Sequence, residues 1–350
     1  MREKIMKAVR AVVFVVIVCA MFVRVQGLFG ITTQVANQAE RMINSYYEEP
    51  ENTVDAVFIG NSHVHNYWQA AFAYREYGIS SLNFSVSDMP ASVVRNAAIE
   101  ACKTQSPKVI VFDITMFARD EVDPTNKKVH LLLKNMKFSM NYLDAIRSHC
   151  DFIGVKGMER LEYYFPIMQF HSQWKELDEK SFTDQYSPYL NCGYLPNYLS
   201  GRVTSTNTHK TTTTSTPISE QHEAALRELL EWCKTQEAQV EFVAVPVLLG
   251  KSRLSMMNYV GEIIREYGFS FINYNEEELY KTFGFEEEVD FQDSDHTNVN
   301  GAYKFTLLYA KHLIEEYGLC DHRGESEYQS WDERADAYYE FVDEYLTADK

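Results

Sequence analysis

Val54-Asp55-Ala56-Val57-Phe58-Ile59-Gly60-Asn61-Ser62-His63 is the stretch on which the reading of this 350-residue chain turns. Its apolar, β-branched run stops at Gly60, and a helical pattern follows from Val64 to Tyr77. In an open α/β sheet this is a first parallel strand that delivers Ser62 to the carboxyl edge, where ligands bind. Gly60 is expected to permit a sharp turn there, and the amides opening the next helix would face whatever sits above Ser62. What gives the segment weight is a counterpart far downstream, Asp293-Ser294-Asp295-His296-Thr297-Asn298-Val299-Asn300-Gly301.

A serine hydroxyl is a poor nucleophile until a base accepts its proton. His296 is the candidate base, and a carboxylate one turn earlier can hold its ring in the right tautomer and stabilise its cation. An Asp-x-x-His turn, here Asp293 to His296, places both side chains on one side, facing Ser62 across the sheet edge. Asp290 and Asp295 are also near, and spacing alone does not choose among the three acids.

The two blocks together resemble the SGNH (GDSL-type) hydrolase superfamily. Gly60-Asn61-Ser62-His63 stands where the family has Gly-Asp-Ser, and Asp293 with His296 where it has Asp-x-x-His, Asn298 and Gly301 following at the family's spacing. The more specific resemblance is to the membrane-anchored SGNH-like proteins of Gram-positive bacteria, through Asp290-Phe291-Gln292-Asp293 and Gly301-Ala302-Tyr303-Lys304. It covers about residues 54–115 and 238–330. The resemblance implies that Ser62, Asp293 and His296 are catalytic and that the Ser62 amide is one oxyanion donor. A second donor would be the backbone at Asp88, where the family has Gly. The family's Asn, a side-chain donor after the third strand, is missing from Asp113-Ile114-Thr115-Met116, and Thr115 is the substitute. His171 and Trp174, in Phe170-His171-Ser172-Gln173-Trp174, resemble a cap motif of the anchored proteins and are candidate substrate-lining residues.

Composition is that of a globular protein, 45% apolar and 24% charged. The N-terminus departs from it: Arg2, Lys4, Lys7 and Arg10 precede an apolar stretch, Ala11 to Val23, that Arg24 interrupts. The expectation is an uncleaved anchor within residues 1–31, spanning about Ala8 to Ile31, with Arg24 snorkelling outward; a cleaved signal peptide is the alternative. Basic residues ahead of the apolar run keep the N-terminus inside and send the rest out. Residues 1–24 hold five basic side chains and one acidic, so the chain beyond them carries −21 against a total of −17. General electrostatics then excludes nucleic acid and does not favour an anionic polymer. Cys19, Cys102, Cys150, Cys192, Cys233 and Cys320 show no C-x-x-C and no metal spacing, so buried free thiols are expected. His63, His65, Asp293, Asp295 and His296 could be read as a metal cluster; the family block accounts for them without metal, and no cofactor is expected.

Along the chain, residues 32–53 read as a polar helical stalk and 54–325 as the main domain. Strands are predicted at Ser81–Ser85, Val109–Phe112, Val240–Val245 and Phe269–Ile272, with helices at Ser255–Tyr267 and after Gly301. This alternation predicts an α/β fold, a three-layer doubly wound parallel sheet of SGNH/flavodoxin-like type. Residues 114–238 are too long for a simple crossover and are expected to form a helical cap insertion, with helices at Leu131–Arg147 and Lys156–Tyr164. Aromatics crowd Tyr163 to Tyr198, either facing a sugar or acyl chain or forming the cap's own core. A threonine-rich surface loop is expected over 203–217, and an amphipathic helix over 326–350.

The resemblance implies an extracytoplasmic serine esterase or O-acyltransferase acting on acyl, foremost acetyl, esters of an envelope or secreted polysaccharide. The alginate-acetyltransferase and D-alanyl-lipoteichoic-acid accessory families, which it is similar to, imply a multi-spanning membrane O-acyltransferase as partner. A catalytically silent scaffold or glycan-binding protein on the same fold is the other reading.

Overall fold

The computed structural model of this chain describes residues 2–27, 29–30, 34–175 and 208–347. In chain order the elements are α1 (Arg2–Gly27), α2 (Gln34–Glu48), β1 (Ala56–Gly60), α3 (Ser62–Tyr67), α4 (Ala70–Tyr77), β2 (Ser81–Ser85), α5 (Val94–Ala101) and β3 (Val109–Asp113). Then come α6 (Val129–Leu133), α7 (Met140–Phe152), α8 (Leu161–Tyr164), α9 (Pro166–Phe170), α10 (Glu220–Cys233), β4 (Gln239–Ala244), α11 (Lys251–Glu266) and β5 (Ser270–Asn273). Four helices close the chain: α12 (Glu277–Thr282), α13 (Glu287–Asp290), α14 (Val299–Tyr317) and α15 (Gln329–Thr347).

The five strands form one all-parallel sheet in the order β2-β1-β3-β4-β5. β1, β2 and β3 are buried at every residue, as strands covered on both faces must be. The polar residues of β2 find partners inside: Ser81 Oγ accepts from the Trp68 indole, Asn83 Nδ2 donates to the Trp68 carbonyl, and Ser85 pairs with His65. α10 packs on α5 and α11, whereas α14 packs on α3 and α4, and α15 on α4. The chain leaves β1 for one neighbour and returns on its other side as β3. The crevice that this opens lies at the strands' carboxyl ends, and Ser62 and Thr115 follow those two strands.

Three expectations change. The helix after Ser62 is two helices, because Gln69 at the break is claimed by the opposite layer. Its N–H donates to Thr306 and its side-chain oxygen accepts from Tyr338. Residues 34–48 are no free stalk: Ala39, Met42, Ile43 and Tyr46 are buried, the helix packs on β2, and the Tyr46 hydroxyl donates to the Ala101 carbonyl. The 114–238 insertion is smaller as a separate unit, since α10 is the ordinary crossover helix and α6 and α7 bury Leu131, Leu132, Ala145 and Ile146 in the main core. Of the cap's aromatics, Tyr163 is buried against His130 and His149, a local core; those from Phe182 to Tyr198, and residues 203–207 of the threonine-rich loop, lie outside the described residues.

α1 contains a 21-residue stretch, Arg2–Phe22, long and apolar enough to cross a membrane. That apolar window starts and ends earlier than Ala8 to Ile31; the side chain of Arg24 lies outside the described residues. α15 docks as an amphipathic helix through Trp331, Ala335, Tyr338 and Val342. Cys150 and Cys233 are buried free thiols, Cys19 and Cys320 are exposed ones, and Cys192 lies outside the described residues.

Candidate active site

Ser62 opens α3 directly behind Asn61, whose extended backbone (φ −96°, ψ −154°) makes the turn and whose side chain caps the helix by accepting from the His63 amide at 2.9 Å. The turn therefore falls on Asn61. Gly60 is still the last residue of β1, and it is glycine for another reason: a Cβ there would meet Val64 Cγ2 at 2.7 Å and Asp113 Cβ at 3.0 Å. The expected role for Gly60, freedom to turn, is replaced by close approach of α3 to the end of β3.

The facing loop is held from several sides. Phe291 and Thr297 form an antiparallel bridge, the Thr297 hydroxyl donates to the Asn66 carbonyl at 2.5 Å, and the Leu248 amide donates to the Ser294 carbonyl at 2.8 Å. Within it, Asp293 Oδ1 accepts from the amides of Asp295 (2.7 Å) and His296 (2.9 Å). The same carboxylate lies 3.0 Å from His296 Nδ1 through both oxygens, and His296 Nε2 lies 2.8 Å from Ser62 Oγ. With its Nδ1 proton on the carboxylate, the ring offers Ser62 an acceptor. Burial pushes the Asp293 carboxyl up, but the His296 bond and charge and the two amides outweigh it and hold it below the usual range. Of the neighbouring acids, Asp290 pairs with Lys304 at 2.6 Å, and Asp295 is not on the His296 ring, its Oδ1 being buried without a hydrogen-bond partner among the described residues. Asn298 caps α14, and a Cβ on Gly301 would strike the Asp290 carbonyl, so both residues serve to seat the loop.

The structure thus brings Ser62, His296 and Asp293 together. Asp88 is in the left-handed region (φ 52°), a backbone that favours glycine, and its side chain is exposed. Among the described residues, neither the Ser62 nor the Asp88 amide has a protein acceptor. Thr115 is corrected: it is fully buried, its hydroxyl donates to Asp113 and it accepts from Asn61 Nδ2 at 3.1 Å, so it has no proton to offer at the site. His171 and Trp174 are not brought to the site either. His171 bonds its own turn at the Met168 carbonyl, Trp174 is 62% exposed, and neither lines the cleft described below.

Sequence reasoning missed a second layer. His63 Nδ1 lies 2.7 Å from Asn61 Oδ1 and 2.9 Å from Thr115 Oγ1, and its ring stacks on His296 with centroids 5.3 Å apart. Burial, then the charges of His296, Arg253 and Arg119, hold His63 well below the usual imidazole range, so it is neutral. Burial pushes Asp113 up to about 7 against the pull of the Thr115 hydroxyl and amide. Asn66 Nδ2 donates to the Ser62 carbonyl at 2.7 Å. Only Asn61, a capping residue at the end of a strand, carried a signal in the sequence. Among the described residues, no three His, Cys, Asp or Glu side chains converge as a metal-binding set: His63 and His65 are turned to Asn61 and Ser85.

A cleft of about 820 Å³ opens beside Asn61 and Asp88 and runs past Met116 and Arg119 to Phe152 and Arg253. No protein-family model matches this sequence, and no curated protein matches it.

Proposed function

We propose that the chain is an SGNH-type serine esterase or O-acyltransferase, acting on acyl, foremost acetyl, esters of an envelope or secreted glycan. The observation that carries this reading is the unbroken hydrogen-bond line from Ser62 Oγ through His296 to Asp293. Ser62 attacks the ester carbonyl carbon while His296 Nε2 takes its proton. The bond to the leaving alcohol then breaks, and that alcohol receives the proton from His296. Acyl-Ser62 is discharged by water or by a sugar hydroxyl that His296 deprotonates in turn. The unclaimed amides of Ser62 and Asp88 are the oxyanion donors in this scheme.

Transfer is favoured over hydrolysis. With Thr115 committed to Asp113, the hole loses the side-chain donor expected of it, a loss of about 2.7–4 kcal/mol of transition-state stabilisation. Holding a sugar hydroxyl beside the acyl group recovers rate through positioning, which bulk water cannot match. The α/β sheet order and the cleft at the carboxyl ends are compatible with the superfamily's doubly wound fold.

A fluorophosphonate probe tests this. It should label the wild type and not Ser62→Ala, with His296→Ala slowed about 100-fold or more, and supplied oligosaccharide should accelerate acyl transfer. Absence of Ser62 labelling would instead favour a silent scaffold. For the anchor, four basic residues ahead of the apolar run support a cytoplasmic N-terminus with the main domain outside, and the proposed partner there is a multi-spanning acyl donor. Protease added to intact spheroplasts should digest the domain; protection would overturn both the topology and the glycan substrate.

A further inference from the structure

The cleft beside Asn61, the residue before Ser62, is lined by four cationic side chains, Arg119, Lys127, Lys128 and Arg253, and four acidic ones, Asp88, Asp120, Glu121 and Asp123, so it is balanced in charge on a molecule that is not. Arg253 and Arg119 both line it in a chain of net charge −17. Arg253 enters at the first turn of α11 and is half-buried, with Nη2 donating to the Thr115 carbonyl at 2.8 Å. Thr115 in turn bonds Asn61, the residue before Ser62, so Arg253 stands one residue behind the nucleophile's turn. Neither guanidinium has a carboxylate within 4.0 Å among the described residues, in a protein that pairs many of its other arginines.

A partly desolvated guanidinium with a like charge nearby is costly unless an anion joins them. Burial, and next the charge of Arg119, lower Arg253 to about 10, and the pull of Asp295, Asp113 and Asp120 does not offset them. The cleft's acids do not supply the missing partner. Asp123 is turned onto Thr125, and Asp88, Asp120 and Glu121 are exposed at the rim, none within 4.0 Å of either guanidinium. A guanidinium presents a planar fork suited to carboxylate or phosphate oxygens.

We propose that Arg253 and Arg119 form a subsite for an anionic group, carboxylate or phosphate, carried on the glycan that exchanges its acyl group with Ser62. This rests on the reading of Ser62 as the acyl carrier and adds the substrate's charge to it. The whole chain's negative field would keep bulk polyanions away, so recognition comes from two directed forks at short range rather than from general attraction.

The test is binding of glucose, glucuronate and glucose 6-phosphate to the full-length protein in detergent, by calorimetry, with Ser62 protection from fluorophosphonate as a second readout. At least one anionic sugar should bind about ten-fold tighter than glucose, as charge-assisted hydrogen bonds provide, and rising salt should shrink the preference. Which of the two anions wins separates a uronate from a phosphate-bearing glycan. Arg119→Gln and Arg253→Gln should each reduce the preference, and Arg253→Lys should restore part of it. Arg119 is exposed and can be replaced without disturbing the core, so it carries the test if Arg253→Gln unfolds. Equal binding of all three sugars, or a preference that survives Arg119→Gln, would overturn the subsite. Ser62→Ala should keep the preference. An anion preference without any Ser62 labelling would sink the enzyme reading and leave the subsite standing, whereas labelling without the preference would do the reverse.

Discussion

Asp113 illustrates how a single buried group governs the site from behind. One of its oxygens accepts from Thr115, and the other is buried without a partner. Because burial raises its carboxyl to about 7 from the 3.8 of a free side chain, the fold holds a proton that the unfolded chain has already lost between those values. Its contribution to stability is therefore full below about pH 4 and is lost as pH rises through about 7. Asp113→Asn stays neutral, so the variant's stability relative to wild type should improve by roughly 4 kcal/mol between pH 4 and pH 8. Urea melts at the two pH values measure this, and parallel curves for the two proteins would remove Asp113 as the titrating group. Asn61, His63 and Thr115 form the rest of this layer, and Thr115 shows why a residue's type can mislead. A hydroxyl in the expected loop is useless as a donor once a nearer carboxylate takes its proton.

The loop between α13 and α14 decides whether His296 reaches Ser62. Its geometry depends on Gly301, where any side chain would strike the Asp290 carbonyl, with Thr297 Cγ2 at 2.8 Å. Gly301→Ala should cost about 1–3 kcal/mol, the usual penalty of forcing a methyl into a filled space. It should also slow Ser62 labelling, since Thr297 and Asp290 flank the Asp293–His296 turn. A variant that melts with the wild type and labels at the same rate would show the loop to be more pliable than its contacts suggest. Between α3 and α4, Gln69 does similar work, fixing α14 through Thr306 and α15 through Tyr338. A periodic apolar pattern continues across that break, and only the partner layer interrupts it.

At the scale of the molecule, the last helix is fastened to the segment that follows α2. Arg334 on α15 donates through both terminal nitrogens to Glu49, just beyond α2, at 2.7 and 2.6 Å, with the Glu49 side chain only 4% exposed. Removing one member of such a pair leaves a buried charge behind. Arg334→Ala should therefore cost about 3–5 kcal/mol, and a Glu49→Leu, Arg334→Leu double variant should recover much of it. Thermal or urea unfolding that leaves Arg334→Ala unchanged would mean that α15 is a loose appendage. Residues 34–48 read as a stalk because their polar face is evident in the sequence; that their other face closes one side of the sheet is a fact of packing alone.

What the sequence by itself determined was local. Ala56 to Ile59 had to be a buried strand and Ser62 had to follow it at a sheet edge, because strand periods leave little choice, whereas spacing alone left Asp290, Asp293 and Asp295 open as the partner of His296. The parallel sheet followed from the alternation of strands and helices, and the apolar N-terminal helix from hydropathy. Tertiary structure decided the rest. It set the 2.8 Å between Ser62 and His296, 234 residues apart. It turned Thr115 toward Asp113, left His171 and Trp174 away from the cleft, and brought Arg119 and Arg253 to the same wall. Those outcomes depend on which distant side chains compete for one proton or one volume, and such competition has no period for a sequence to display.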